Sequence, residues 1–373
     1  MESMGANLDF SFFQNKKVLI TGNTGFKGSW MTMVLLSCGA KVYGYALKPE
    51  KESLFNILGL EKNITQKYAD IRNLMEIKRF VAEVNPDILI HMAAQPLVQQ
   101  SYQQPVYTYE VNVMGTVNVM EAIRYADSLK SVVNVTTDKV YQNNEWEWGY
   151  RESDCLNGFD PYSNSKSCSE LVTSSYVKCF LKDRMIAVST CRAGNVIGGG
   201  DFSEDRIIPD CVKAAHENKC VVLRNPNSIR PYQHVLEPVV AYLQIAMLQY
   251  QNNEVADCYN IGPKSDDCIT TKELVECFCK AWGENFGFQV SSDYRGGHEA
   301  GLLKLDISKI KNRIGWSPCH NVYWAVVKTV EWSKTYYSRG DIIKETQIQV
   351  KEYLSDRKII ISGGVSDAEN ESD

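Results

Sequence analysis

Tyr162 and Lys166 stand four residues apart in Tyr-Ser-Asn-Ser-Lys, a spacing that puts both side chains on one face of a helix. An ammonium beside a phenol favours the phenolate. It lowers the phenol pKa from about 10, so the tyrosine can shuttle a proton near neutrality. The other reading is two residues on a solvated helix face. A second cluster closes an apolar run: Thr136-Thr137-Asp138-Lys139-Val140-Tyr141. Strand carboxyl ends are where α/β sheets place ligands, so a Thr, an Asp and a Lys there are poised over a crevice. A turn or helix cap would use Thr and Asp equally well. The third cluster is Thr21-Gly22-Asn23-Thr24-Gly25-Phe26-Lys27-Gly28, with glycines spaced G-x-x-G-x-x-G. Backbone without Cβ atoms, opening a helix, lets a pyrophosphate approach free N–H groups and a positive dipole end. Its place between the first strand and the first helix predicts dinucleotide binding.

These groups need a scaffold, and the apolar pattern supplies one. Lys17–Thr21, Lys41–Ala46, Asp87–His91, Ser131–Thr136 and Met185–Cys191 are short apolar runs. Helical stretches separate them at Gly28–Cys38, Asn73–Val84, Val111–Tyr125 and Pro161–Phe180. Strands alternating with helices of this length predict an α/β fold with a parallel sheet covered on both faces. An acid closing the second strand is the usual selector for adenosine ribose hydroxyls, but that strand ends Tyr45-Ala46-Leu47-Lys48. Asp70 and Ile71 are candidates for an adenine-edge contact; Asp70 also reads as a helix N-cap. After Cys191 the pattern changes to loops and shorter helices, at Pro209–Glu217 and Thr271–Trp282, which predict a smaller capping domain. The apolar helix Glu237–Tyr250 and the strand Cys258–Ile261 could return to the sheet. The small, acidic end at 362–373 predicts a disordered tail.

Composition narrows the function classes. The 373 residues are 44% hydrophobic and 23% charged, ordinary for a globular enzyme of about two domains. Lys plus Arg total 40 against 45 Asp plus Glu, leaving no basic surplus for a nucleic-acid backbone. The uncharged stretch Ile88–Tyr109 contains glutamines and two prolines, so no membrane span is expected. Residues 1–13 lack the basic and apolar pattern of a secretory signal, so none is expected. Twelve cysteines lack any C-x-x-C, and no zinc-type cluster with histidine occurs. Reduced thiols, no metal and a cytoplasmic location are expected.

The glycine turn, His91-Met92-Ala93-Ala94-Gln95-Pro96, Asn112-Val113-Met114-Gly115-Thr116, Thr137–Lys139 and Tyr162/Lys166 resemble the extended short-chain dehydrogenases/reductases that act on sugar nucleotides. Four further segments look like the CDP-glucose 4,6-dehydratase group: Glu145–Glu152, Arg192–Asp201, Ile229–Val235, and His298-Glu299-Ala300 with Leu305-Asp306. The resemblance covers roughly 13–354. It implies a Rossmann-type doubly wound parallel sheet with a smaller C-terminal α/β substrate-binding domain. An NAD-binding domain would span 14–194 with return elements near 231–262, and a substrate domain 195–230 and 263–355. It also implies NAD, a CDP-glucose substrate, a homo-oligomer (dimer or tetramer), and a part in deoxysugar synthesis for surface polysaccharide. Most sugar-nucleotide dehydratases carry Asp-Glu after the Thr and this group carries Asp-Lys, whereas epimerases generally lack the pair. An epimerase, a dehydratase for another nucleotide, and a non-catalytic dinucleotide sensor are the competing classes.

By resemblance, Tyr162 takes the 4-hydroxyl proton and Thr137 holds the 4-oxygen. Asp138, its pKa raised by desolvation, protonates the departing 6-hydroxyl, and Lys139 acts at C5 as base or as stabilising cation. Lys166 bonds the nicotinamide ribose. The implied cofactor set is Gly22, Thr24, Gly25, Phe26, Gly28, Asp70, Ile71, Ala93, Ala94, Asn112, Tyr162, Lys166 and Arg192. The implied substrate set is Gln95, Asn195, Arg206, Arg230, Tyr232, Arg295 and His298. Trp146 and Trp148 would flank the sugar or simply pack.

Overall fold

The apolar runs of the first half become the strands of one all-parallel sheet. The computed structural model describes residues 8–223, 225–283, 286–290 and 301–361. Strands β1 (Lys17–Thr21), β2 (Lys41–Ala46), β3 (Thr65–Tyr68), β4 (Ile88–His91), β5 (Ser131–Thr137), β6 (Ala187–Ala193) and β7 (Cys258–Ile261) lie in the order β3-β2-β1-β4-β5-β6-β7. The chain winds outward from β1 in both directions, so the strand order reverses between β1 and β4. That switch point opens the crevice at the carboxyl ends of the strands. Every residue of β4, β5 and β6 is buried, as a sheet covered on both faces requires.

Alternation along the strands divides the core. Val18, Ile20, Ile88, Ile90, Val133 and Val135 face one cluster with Trp30 and Val34 of helix α1 (Phe26–Ser37). Leu19, Leu89 and Val132 face the other, with helices α2 (Leu74–Val84) and α3 (Gly115–Ile123). In α2 the buried residues Ile77, Phe80, Val81 and Val84 recur at the spacing that makes one apolar stripe. Asn73 caps it, its side-chain oxygen accepting from Glu76 N at 3.2 Å, and Asn85 ends it in a left-handed turn at φ 45°. Truncating Phe80 to Ala there would cost about 3–5 kcal/mol. Helix α4 (Pro161–Tyr176) lies on this second face and continues as a wider turn over Val177–Leu181.

Helices α5 (Ile207–His216), α7 (Thr271–Trp282) and α8 (Val322–Tyr337) surround a separate core of Cys211, Leu274, Phe278 and Val326. Between α5 and α7 in the chain, the almost wholly buried α6 (Leu236–Gln251) returns to the first face of the sheet, and β7 pairs with β6. The last helix, α9 (Ile342–Asp356), with Val350, Tyr353 and Leu354, also packs into the sheet core, as do Ile310 and Trp316. No helix among the described residues is long and apolar enough to cross a membrane.

The sequence pattern departs from these elements in several places, the wider turn Val177–Leu181 within the expected helix Pro161–Phe180 among them. It omits β3, a polar edge strand (Thr-Gln-Lys-Tyr) with no apolar run to reveal it. It starts β6 at Met185, which instead takes a left-handed φ of 56° and turns the chain before the strand. It reads Val111–Tyr125 as one helix, whereas Glu110–Met114 forms a π-turn ahead of α3.

Candidate active site

The hydroxyl of Thr21 locks the end of β1 to the end of β4. It pairs with His91 Nδ1 at 2.7 Å and accepts from the amides of Met92 and Ala93, each at 3.2 Å. Gly22 follows at φ +76°, and a Cβ there would lie 2.7 Å from Ala93 N. A Cβ on Gly28 would lie 2.4 Å from Gly22 O, so helix and turn can close only on glycine. Gly25 differs: its Cβ would meet only Gly22 O, at an ordinary 3.5 Å. The protein itself does not require glycine at 25, whereas a diphosphate lying across the start of α1 would. Gly25 occupies the N-cap position with no side-chain cap, so the first N–H groups of α1 remain available to an anion. These features fit a dinucleotide.

One cavity of about 1100 Å³ runs from this turn over the carboxyl ends of the strands. Ligand pockets usually hold about 300–1000 Å³, so there is room for two sizeable molecules. At one end Gly22, Thr24, Gly25, Phe26 and Gly28 line it, with Asp70, Ile71, Ala93 and Ala94. Asp70 does not cap α2, since Asn73 does. Instead Arg72 binds it through Nε and Nη2 (2.8 Å from Oδ2), and that bond holds the carboxyl below its usual range.

At the middle, Thr137, Lys139, Tyr162 and Lys166 share the wall. Thr137 ends β5 and caps the short turn Asp138–Val140. Asp160 caps α4, its side chain accepting from Ser163 N at 2.9 Å, and so presents Tyr162 and Lys166 one turn apart. Lys139 Nζ bonds Asp138 Oδ1 at 3.4 Å and Asn195 Oδ1 at 3.2 Å. Asp138 lies one layer behind the cavity wall, fully buried: Oδ1 accepts from the Thr137 hydroxyl at 2.9 Å, and Oδ2 has no hydrogen-bond partner. Of these three, Thr137 and Lys139 line the cavity and Asp138 does not.

Burial dominates the proton affinities here. It pushes the Tyr162 phenol up to about 12; a hydrogen bond with Thr137 opposes this and the Asp138 charge adds to it. Burial also brings the Lys166 amine down to about 8, against the pull of Glu170. The Lys166 ammonium donates to Val135 O at 3.2 Å. In the protein alone, therefore, the Tyr162 phenol lies above its ordinary value, set by burial and not lowered by the lysine one turn away. Lys27, a residue the sequence reading passed over, also lines the cavity beside Tyr242. Burial, with Arg206 and Lys166 nearby, brings its amine down to about 7. A lysine among the turn's glycines was the available signal.

Asn195, Arg206, Arg230 and Tyr232 also line the cavity. Arg206 pairs with Asp201 at 3.1 Å. Arg295 and His298 lie outside the described residues.

Five residues considered for the site do not line the cavity. Arg192 does not reach the cofactor side. It is buried, bound bidentately by Glu170 at 3.0 Å per bond, and donates its remaining group to Tyr141 and Glu152 O. Gln95 is turned inward, its amide committed to Thr108 Oγ1 and Leu97 N. Asn112 braces that turn from behind, bonding Gln95 N and O and Ser165 Oγ. Trp146 stacks on Tyr150 at 5.3 Å in a small satellite core, and Trp148 is 67% exposed, so neither flanks the cavity.

A Rossmann-type sheet with a glycine turn at its switch point and a Tyr/Lys pair over the crevice defines a dinucleotide-binding enzyme of the short-chain dehydrogenase type. The chain belongs to the GDP-mannose 4,6 dehydratase family, which matches residues 19–328. It is 41% identical over 355 residues to the CDP-glucose 4,6-dehydratase of Salmonella typhimurium, covering 93% of this chain and 99% of that one. The CDP-paratose 2-epimerase of Salmonella typhi is 26% identical, over 86% of this chain and 99% of its own. Among solved structures, the dTDP-glucose 4,6-dehydratase of Bacillus anthracis in complex with NAD superposes with a TM-score of 0.72. Its identity is 22%, with 87% and 98% of the two chains covered. The Thermus thermophilus UDP-glucose 4-epimerase complex with NAD gives 0.74 at 23% identity, covering 85% and 99%. At such identities these likenesses show the fold.

Proposed function

We propose that this chain is a hydro-lyase that converts CDP-D-glucose to CDP-4-dehydro-6-deoxy-D-glucose and water, using NAD. The observation that carries this is the meeting of Thr137 and Lys139, with Asp138 behind them, and Tyr162 and Lys166 in one cavity. Oxidation and re-reduction at C4, as in a 4-epimerase, need only the tyrosine. Loss of the 6-hydroxyl needs an additional acid and a group at C5.

Gly22, Gly25, Gly28 and the start of α1 would hold the cofactor diphosphate, with Ala93, Ala94 and Lys166 along the ribose and nicotinamide. Bound there, the cofactor would supply an acceptor for the C4 hydride and its source for C6. Tyr162 takes the proton of the 4-hydroxyl, and Thr137 holds the 4-oxygen. A ketone at C4 acidifies the C5 hydrogen, which passes as a proton to Lys139 or to water beside it, and C5 takes a proton back when C6 is reduced. The C6–O bond then breaks, and Asp138 supplies the proton with which that oxygen leaves as water. Asp138 reaches the oxygen by a side-chain rotation that gives up its bonds to Thr137 and Lys139. Asn195, Arg206 and Arg230 carry the donors and charge a diphosphate needs. The residues around 14–194 and 231–262 serve the cofactor, and 195–230 and 263–355 the nucleotide sugar. The enzyme would work in the cytoplasm as a homo-oligomer, in deoxysugar synthesis.

The test is incubation with CDP-, dTDP-, UDP- and GDP-hexoses, assayed for a 4-keto product. CDP-glucose should give it, and deuterium placed at C4 should appear at C6. Stoichiometric release of reduced cofactor, or product that keeps its 6-hydroxyl, would overturn the reading.

A further inference from the structure

Behind the cavity wall lies a charge pair that touches no ligand surface. Glu170 of α4 and Arg192 of β6 are each 4% exposed. Arg192 Nε and Nη2 reach the two carboxylate oxygens at 3.0 Å. Thr136 Oγ1 donates to Glu170 Oε1, and Thr190 Oγ1 to Oε2, both at 2.6 Å. Arg192 Nη1 donates to the Tyr141 hydroxyl at 2.9 Å, and that hydroxyl donates on to Asn260 Oδ1 at 2.6 Å. A buried ion pair is seldom worth more than apolar packing of the same volume, so stability alone is a weak reason for this one.

Its attachments suggest another. Thr136 immediately precedes Thr137, and Tyr141 immediately follows the turn Asp138–Val140. The two ends of the corner that carries Asp138 and Lys139 are therefore tied to the two members of one ion pair. Glu170 itself stands one turn beyond Lys166 on α4, in the row Tyr162, Lys166, Glu170.

We propose that Glu170 and Arg192 are positioning residues that set the Thr137–Lys139 corner in register with Tyr162 and Lys166, and that they serve the elimination of water rather than oxidation at C4. The proposal rests on the dehydratase reading above. Tyr162 and Lys166 sit on one helix, so their mutual placement needs no help. Asp138 and Lys139 come from a different element, and the pair links that element to the helix. In the elimination the C5 proton passes to Lys139 or to water beside it, the C6–O bond breaks, and the oxygen departs with a proton from Asp138. All of this must occur on a sugar whose C4 is held at Tyr162. A displacement of about 1 Å there can cost about a hundredfold in rate.

Replacing Glu170 would also change the charge beside Lys166, so the test cuts the ties instead. Thr136→Val and Tyr141→Phe each remove one hydroxyl and leave the ion pair in place. For each, folded by circular dichroism, kcat with CDP-glucose should fall about tenfold while KM stays within about twofold. Reduced-nicotinamide absorbance should build up during turnover, because oxidation now outruns elimination. Wild-type rates in both variants, or lower rates without that build-up, would overturn the proposal. A wild-type protein that yields no 4-keto product from CDP-glucose would instead sink the dehydratase reading.

Discussion

Lys139 Nζ donates to Asn195 Oδ1 at 3.2 Å, joining the corner after β5 to the loop after β6. A residue assigned to C5 of the sugar thus leans on one assigned to the diphosphate. The Asn195 amide can hold the lysine through its oxygen while its nitrogen donates to phosphate. Asn195→Ala should therefore raise KM and also lower kcat, each about tenfold. Steady-state kinetics decide it: a change in KM alone would show that the hydrogen bond does nothing for Lys139.

The glycine turn separates two reasons for glycine. At Gly28 a methyl group would strike Gly22 O and Asn23 Cα at 2.4 and 2.6 Å, so Gly28→Ala should destabilise the fold by about 1–3 kcal/mol. At Gly25, with φ −77°, the fold accepts a methyl group but an overlying diphosphate does not. Gly25→Ala should melt within about 2 °C of the wild type and bind NAD at least about tenfold more weakly. Thermal melts paired with calorimetric titration of NAD check both. Normal NAD affinity in Gly25→Ala would remove the diphosphate from this turn.

Lys166 makes the unliganded protein pH-sensitive. Its amine is brought from 10.5 down to about 8, chiefly by burial. Between these values the unfolded chain binds more protons than the folded one, so stability rises with pH across that window. Below about pH 8 the buried ammonium costs on the order of 3 kcal/mol. Lys166→Met should thus melt above the wild type near pH 7, with the gap closing towards about pH 10. Melting curves across that range test this, and a variant less stable than the wild type at neutral pH would contradict it.

The parts of this site that the sequence displays are those whose meaning is local. Gly22, Gly25 and Gly28 act within one turn, Tyr162 and Lys166 within one helix face, and Thr137–Lys139 within one strand end. Each is recognisable without knowing what lies opposite. Arg192 was misread because its partners, Glu170 and Tyr141, are 22 and 51 residues away in sequence and only the packed sheet brings them together. Asn112 spends its amide on the Gln95 backbone, 17 residues away, and on Ser165, and the Gln95 side chain is spent on Thr108 and Leu97, which leaves neither for a ligand. Their types suit a binding site equally well, and burial alone separates the two roles. β3 escaped notice for a related reason: an edge strand half open to water carries no apolar signature.

Lys139 brings the chemistry to one decision. It is 28% exposed, and both groups it meets, Asp138 Oδ1 and Asn195 Oδ1, are acceptors. Its hydrogens are therefore the working part of the side chain in this arrangement. A base must offer a lone pair to the C5 hydrogen, which means losing one of the three ammonium protons first. A cation beside C5 needs no such loss, and it stabilises the negative charge that develops as the C5 proton passes to water. The geometry therefore favours the electrostatic role over direct proton abstraction. Lys139→Met should lower kcat about a hundredfold and slow exchange of the C5 hydrogen with solvent, while hydride still leaves C4. Lys139→Arg keeps the charge and cannot act as a base, so it should recover much of the exchange. Exchange measured in deuterated solvent by mass spectrometry separates the cases. An Arg variant as slow as the Met variant would return Lys139 to the role of base, and a Met variant at the wild-type rate would leave it with neither.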